Sequence, residues 1–540
     1  MNNQPPPLQD YNVFATDRAL LDALSRVAPD IDRAELHELG ALSGAPQSIE
    51  LGFEANRNTP ELLTHDRFGE RIDEVRFHPA YHALMNVATA HGLHAAPWLD
   101  KAPHAHLRRA AKFFVWSQVE GGHLCPISMT YAAVPALEHA PLLAPHWVGK
   151  LAARGYDARL APIAQKESAL CGMGMTEKQG GSDVRANTTR AERIGDGEYV
   201  LEGHKWFCSA PMSDAFLVLA QSDRGLSCFL VPRVLADGSR NSFAIARLKD
   251  KLGNRSNASS EVEFHATHAW IVGDPGRGIQ TIVEMVNGTR LDCIIGSAAL
   301  LRGALAQAVH HATYRRAFGA PLVDHALMQN VLADLALESE AATALFVRLA
   351  HAADQAPHDA HAAALRRIGT AVGKYYVCKR APAAVAEALE CLGGNGYVEE
   401  SIMPRYYREA PLNSIWEGSG NINALDVLRV LQKQPEALEA LYAELEPALR
   451  DTRVASAARD LRAEVADEDV EWRARALVER MALLWQASLL LQSAPNYVSD
   501  CFIASRLSPG GGRTLGTLPI KTALRGIVDR ASPSHEAAAI

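Results

Sequence analysis

Apolar positions recur at three- and four-residue spacing from the start of the chain to about residue 171, then alternate with polar ones from 172 to 280. Helical spacing returns at 281 and persists to the end. These changes of period predict an α+β, mainly α, chain in four spans: an N-terminal helical domain with an extension (1–171), a middle β-barrel or sandwich domain (172–280), a C-terminal bundle of four-helix type (281–435) and an extra helical domain (436–540). In the β span, Ser260 to Phe264 puts Val262 and Phe264 on one face and Glu261 and Glu263 on the other, while Phe216–Ala220 and Cys228–Val231 read as buried strands. Ala- and Leu-rich segments at 333–352 and 381–392, separated by Gly319-Ala320-Pro321 and Gly393–Gly396, predict long antiparallel helices. The last span is broken by Ser-Pro-Gly-Gly-Gly at 508–512.

The densest stretch is Cys171 to Ser209. It holds M-T-E-K-Q-G-G-S-D (Met175 to Asp183) and G-H-K-W-F-C-S (Gly203 to Ser209), with a hairpin signal, Gly195-Asp196-Gly197, between them. The two motifs are expected on neighbouring strands facing one pocket. Gly180 and Gly181 remove side chains where a ligand approaches closely, and Ser182 adds a hydroxyl. That suits a large, flat, phosphate-bearing cofactor, and a tight turn accounts for the glycines equally well.

Composition narrows the classes. With 540 residues and 48% hydrophobic content the chain can bury several cores. No apolar run approaches the ~20 residues needed to span a bilayer. The polar, Pro-rich start lacks a secretory pattern, so a cytoplasmic location is expected. Eight cysteines without a C-x-x-C pair read as packed, reduced thiols, and 21 histidines without metal-ligand spacing predict no metal. A net charge of −8 argues against a globally basic nucleic-acid binder. Residues 471–540 nevertheless carry eight Lys or Arg against five Asp or Glu, a local +3 that a solvated helix face would also show.

Four motifs, one of them within the stretch just described, give these features a family. T-E-x-x-x-G-S-D at Thr176–Asp183, R-x-x-F-G-x-P at Arg315–Pro321, L-G-G-N-G-Y at Leu392–Tyr397 and W-E-G-S-G-N at Trp416–Asn421, in a helical, β, helical order, resemble the acyl-CoA dehydrogenase flavoproteins over roughly residues 60–435. R-F-H-P-A-Y-H (Arg76–His82), M-T-E-K-Q-G-G-S-D-V and L-G-N-R-S-N-A-S (Leu252–Ser259) are similar to the AidB-type branch, associated with the adaptive response to DNA alkylation. The resemblance implies FAD between the β-domain and the C-terminal bundle, a second subunit completing the adenine end, and a homotetramer. Met175, Thr176, Gly181 and Ser182 would line the flavin and pyrophosphate, and Phe207, Cys208 and Ser209 the isoalloxazine. Arg315 and Phe318, with Leu392, Gly393 and Gly394, would bind the ADP half across a dimer interface, and Trp416, Ser419 and Asn421 would close the site.

Oxidising an acyl thioester at its α and β carbons needs a base for the α-proton and an acceptor for the β-hydride. Glu417 matches the family's usual base position. The alternative position holds Thr289, which cannot act as that base. Lys178-Gln179-Gly180 replaces the usual Pro-Gly-Ala, Phe207 a tryptophan and Trp416 a tyrosine, which implies flavin binding with weak acyl-CoA turnover. The AidB likeness adds duplex DNA as a partner, bound through phosphates by Arg429, Lys433, Arg513, Lys521 and Arg525 without sequence preference. The competing expectations are an ordinary acyl-CoA dehydrogenase without a DNA role and a catalytically silent oligomeric scaffold.

Overall fold

The period-two segment folds as a ring of strands that closes on itself. The computed structural model describes residues 3–100, 102–467, 469–508 and 511–534; Pro509 and Gly510 of the 508–512 break lie outside the described residues. Compactness divides the chain into two units, one of 50–101 with 120–289 and one of 1–49, 102–119 and 290–540.

The first unit begins with an antiparallel hairpin, β1 (Glu61–His65) and β2 (Arg71–Arg76). It corrects the expectation that residues 1–171 are all helical. The cause is local: the Asp66 carboxylate accepts the Phe68 N–H (2.8 Å) and the Glu70 N–H (2.9 Å), closing a turn that helical spacing does not register. Seven strands follow: β3 (Cys171–Gly174), β4 (Arg190–Arg193), β5 (Glu198–Ser209), β6 (Ala215–Ser222), β7 (Gly225–Pro232), β8 (Phe243–Leu248) and β9 (Ser259–Val272). The pairings β6-β4-β5-β9-β7 return to β6, with β3 beside β6 and β8 on β9. Closure, which between β4 and β6 rests on the single pair Arg190–Gln221, gives each of those five strands a neighbour on both sides. Inside lie the predicted runs: Phe216–Ala220 and Cys228–Val231 are buried, and Val262 and Phe264 point inward while Glu263 is exposed. The Gly195–Gly197 turn joins β4 to β5 as expected. The first dense motif, however, occupies the loop after β3 instead of a neighbouring strand, because its paired glycines and polar side chains offer no inward face.

The second unit is helical. Helices Ala326–Gln355 and Ala360–Cys391 pack against each other, with Ala474–Ser493 from the last span on both. Gly369 makes that seating possible, since a Cβ there would lie 2.6 Å from the Trp485 ring. Ion pairs complete the docking. Arg506 reaches Asp334 and Glu338 (2.8 Å to Glu338), which also takes Arg380 (2.9 Å), and Arg530 bridges Glu340 and Asp22 (2.7 Å each). All eight cysteines are free thiols and buried.

One helix, Gly278–Tyr314, is long and apolar enough to cross a membrane by composition, contrary to the expectation of no such run. Its apolar window is 83% buried within the fold, as in a core helix.

Replacing Arg506 strands two buried carboxylates with one fewer cation. Arg506→Met is expected to destabilise the chain by about 3 kcal/mol, checked as a lowered urea midpoint.

Candidate functional site

Three consecutive residues of β5 hold three consecutive residues of the first motif. The Trp206 N–H donates to Thr176 O (2.8 Å), Lys205 Nζ pairs with Glu177 Oε1 (2.7 Å), and the Lys178 N–H donates to His204 Nε2 (3.0 Å). Accepting at Nε2 requires the neutral ring with its proton on Nδ1. Burial, together with the Lys178 and Lys205 charges, lowers the His204 pKa and favours that form. Lys205 and Glu177 are wholly buried. Lys205 also donates to Leu219 O (2.8 Å), while Glu177 accepts from the Thr188 and Thr189 N–H groups. Burial alone would raise the Glu177 carboxyl, but the Lys205 charge and these hydrogen bonds push it down to about 2.

The loop so held presents the predicted ligand residues. Met175 and Thr176 are half-buried; Gly181 and Ser182 are exposed. A Cβ at Gly181 would meet Thr176 Oγ1 at 2.4 Å, so only glycine keeps the backbone this close to the threonine. Phe207 is 50% exposed, and Ser209 is half-buried with its hydroxyl 3.2 Å from that of Ser259. Cys208 lies on the opposite face of β5 with its thiol enclosed, so only its backbone is available to a ligand. Lys249 sits 3.8 Å from the Trp206 ring centroid and 4.4 Å from that of Phe207, fixing both rings.

In the helical unit, the loop carrying Glu417 is held by its carbonyls. Arg290 Nε donates to Glu417 O (2.9 Å), Lys374 Nζ to Gly418 O (3.1 Å), and Asn423 Nδ2 to Gly418 O (2.6 Å) and Ser419 O (3.1 Å). Arg290 is itself fixed by Asp426 (2.8 Å), which also takes Arg367 (2.7 Å). Glu417 is half-buried with φ +58°, a left-handed conformation costing a non-glycine residue about 1 kcal/mol. The tethered carbonyls supply the compensation. Trp416 donates from Nε1 to Asn413 Oδ1 (2.9 Å); Ser419 and Asn421 are exposed. Thr289, which belongs to the first unit, is buried and donates its hydroxyl to Val286 O (3.1 Å).

Arg315 follows the Gly278–Tyr314 helix, Phe318 lies in the turn of a short hairpin that pairs Arg316–Ala317 with Ala320–Pro321, and Leu392–Gly394 follow Ala360–Cys391. The N-terminal residues touch both places: Arg315 donates to Asn3 O (2.8 Å), and Asn395 to Gln4 Oε1 (2.7 Å). Phe318 is 96% exposed; Leu392 is buried, whereas Gly393 and Gly394 have nothing within 4 Å of a built Cβ. Of the five candidate DNA contacts, Arg429 leans on Asp426 (3.6 Å), and Arg525 bridges Asp324 (2.7 Å) and Asp529 (2.8 Å). Lys433, Arg513 and Lys521 are exposed and make no ion pair among the described residues.

Motif reasoning missed Lys205, His204, Trp206 and Lys249 in one unit and Arg290, Lys374 and Asn423 in the other. One signal was present: Lys205 stands on a strand in register with the buried Leu201, an inward position where a lysine needs a partner.

Three family models match the chain: the adaptive response protein AidB N-terminal domain over residues 3–158, the acyl-CoA dehydrogenase middle domain over 172–267 and the acyl-CoA dehydrogenase C-terminal domain over 276–432. The AidB protein of Escherichia coli (strain K12) is 52% identical over 441 residues, 81% of each chain. Among solved structures, Caenorhabditis elegans ACDH-11 in complex with C11-CoA has a TM-score of 0.82 at 26% identity, covering 98% of this chain and 92% of its own. An acyl-CoA dehydrogenase complexed with FAD from Bacillus anthracis has a TM-score of 0.66 at 17% identity, covering 96% of this chain and 84% of its own, a likeness of fold. The residues present fit FAD: exposed aromatic faces at Phe207 and Phe318, an exposed hydroxyl at Ser182, and open glycine backbone at Gly180, Gly393 and Gly394.

Lys205→Met leaves Glu177 charged and buried without its cation, and is expected to cost about 3–5 kcal/mol. Because the folded-state pKa of Glu177 lies below the ordinary 4.5, its contribution is full above pH 4.5 and is lost as pH falls toward 2. The variant should therefore unfold at higher pH than the parent, read by circular dichroism during acid titration.

Proposed function

Because the chain belongs to the acyl-CoA dehydrogenase family, in its AidB branch, we propose that it is an FAD-dependent oxidoreductase with weak acyl-CoA α,β-dehydrogenation that also binds duplex DNA non-specifically in a response to DNA alkylation. The tethered Glu417 loop carries the enzymatic part of the proposal. Three side chains hold its carbonyls, which fixes the backbone from which the carboxylate projects. Glu417 takes the α-proton of an acyl thioester. FAD, when bound, supplies the acceptor for the β-hydride. Thr289 offers no competing base, since its hydroxyl is committed to the helix backbone. Lys178, Phe207 and Trp416 stand where proline, tryptophan and tyrosine are usual in the family, which supports weak turnover of ordinary straight-chain substrates. The C11-CoA bound to C. elegans ACDH-11 supports an acyl-CoA as the ligand class.

The DNA part rests on the solvated cations Lys433, Arg513 and Lys521 in a chain of net charge −8. The exposed ring of Phe318 beside Arg315 is suited to contact with a second subunit, which supports a homotetramer. A cytoplasmic location completes the proposal.

Anaerobic titration with an acyl-CoA panel tests the enzymatic part. Flavin reduction by the parent should be slow, and in Glu417→Gln it should fall by a further ~10²-fold or more. Equal rates in the two proteins would remove Glu417 as the base, and rapid reduction of the parent by a straight-chain acyl-CoA would favour an ordinary dehydrogenase instead.

For DNA, substituting Lys433, Arg513 and Lys521 together by Gln should flatten the log–log salt dependence of duplex binding by about 0.9 per lost phosphate contact. Fluorescence anisotropy of the full chain measures this. Arg525→Gln, which removes an internally paired cation, should change it less.

A further inference from the structure

The L-G-N-R-S-N-A-S run lies between β8 and the start of β9, and of its residues only Ser259 enters the site described above, through its hydroxyl contact with Ser209. Residues 249–258 form a loop closed at its base by the Lys249 N–H on Ser259 O (2.8 Å). Its underside is rigid. Asn254, Ser256, Asn257 and Ala258 are buried; Asn254 holds φ +55°, which asparagine tolerates, and accepts both the backbone N–H (3.2 Å) and the side-chain amide (2.9 Å) of Asn257. Ser256 Oγ donates to Glu120 Oε1 (2.9 Å), and that buried carboxylate also takes Asn56 (2.7 Å) and the Gly122 N–H (2.8 Å).

Beside this base is a pocket of about 250 Å³ whose lining includes Thr59, Lys249, Asp250, Lys251 and Arg255. Three cations and one carboxylate line it, and one of the cations, Lys249, is itself ion-paired with Glu261. Two of the cations are already fixed: Lys249 by Glu261 (2.7 Å) and the Trp206 and Phe207 rings, Lys251 by Asn257 O (2.5 Å). Arg255 is different. Half-buried in the same unit, its guanidinium makes no ion pair or side-chain hydrogen bond among the described residues.

We infer that this pocket is a binding site for the phosphate group of a small molecule, with Arg255 as its forked donor and Lys249 and Lys251 supplying fixed positive charge. A guanidinium matches phosphate oxygens two at a time, and two pre-positioned ammonium groups favour a dianion over a single carboxylate. The volume exceeds that of a phosphate, leaving room for what the phosphate is attached to. Free phosphate and a phosphate monoester share this chemistry. The site is independent of Glu417 and of the DNA cations.

Calorimetric titration of the flavin-loaded full chain at low salt, with inorganic phosphate and separately with AMP, tests it. Saturable one-site binding is expected, weakened about tenfold or more in Arg255→Gln and partly restored in Arg255→Lys, at unchanged melting temperature. Similar affinity for both probes assigns free phosphate, and tighter AMP binding assigns a monoester. Absence of saturable binding with either probe, an unaltered Arg255→Gln, or equal weakening by Arg224→Gln, an exposed cation outside the pocket, would each overturn the site.

Discussion

The Glu177–Lys205 ion pair is the constraint on which the β unit's ligand-facing surface depends. Both charges are removed from water, so each is tolerable only while the other stays at hydrogen-bond distance. The loop after β3 has few apolar side chains with which to anchor itself. The buried pair, flanked by the Thr176–Trp206 and Lys178–His204 contacts, replaces hydrophobic packing as its anchor. Side chains on the outer surface of the loop are thereby released from structural duty, and that surface carries Gly181 and Ser182.

The helical unit solves the same problem with backbone carbonyls. Arg290, Lys374 and Asn423 grip residues 417–419 through main-chain oxygens, so the backbone bearing Glu417 is set by neighbours whatever its own side chain does. Charge is used just as internally farther along. Of the eight Lys and Arg in 471–540, Arg473, Arg480, Arg506, Arg525 and Arg530 are ion-paired. The local excess of +3 is therefore not a free surface field; what remains for a polyanion is a few solvated side chains.

The order of helical and β segments was legible because hydrophobic period changes sharply at 172 and 280, and the buried runs at 216–220 and 228–231 because they are continuously apolar. The β1–β2 hairpin was not, because its turn is made by one carboxylate and its strands are short and charged. Glu417 and the glycines were visible through their motifs. Their supports were not: Arg290 and Lys374 act from helices distant in sequence, and Lys249 meets Trp206 and Phe207 only once β9 has paired with both β5 and β8. Local spacing carries the identity of reactive groups, whereas what orients them depends on tertiary pairing.

Ring closure has an evolutionary corollary. Because β5 is hydrogen-bonded to β4 on one side and β9 on the other, sliding it by one residue would break two ladders and turn Lys205 outward. Change is thus tolerated less on the strand than in the tethered loop, where Lys178 and Gln179 can be exchanged without disturbing a ladder, while Gly180 holds a φ of +133° that favours glycine. New substrate preferences would arise there by loop replacement on a barrel whose register stays frozen.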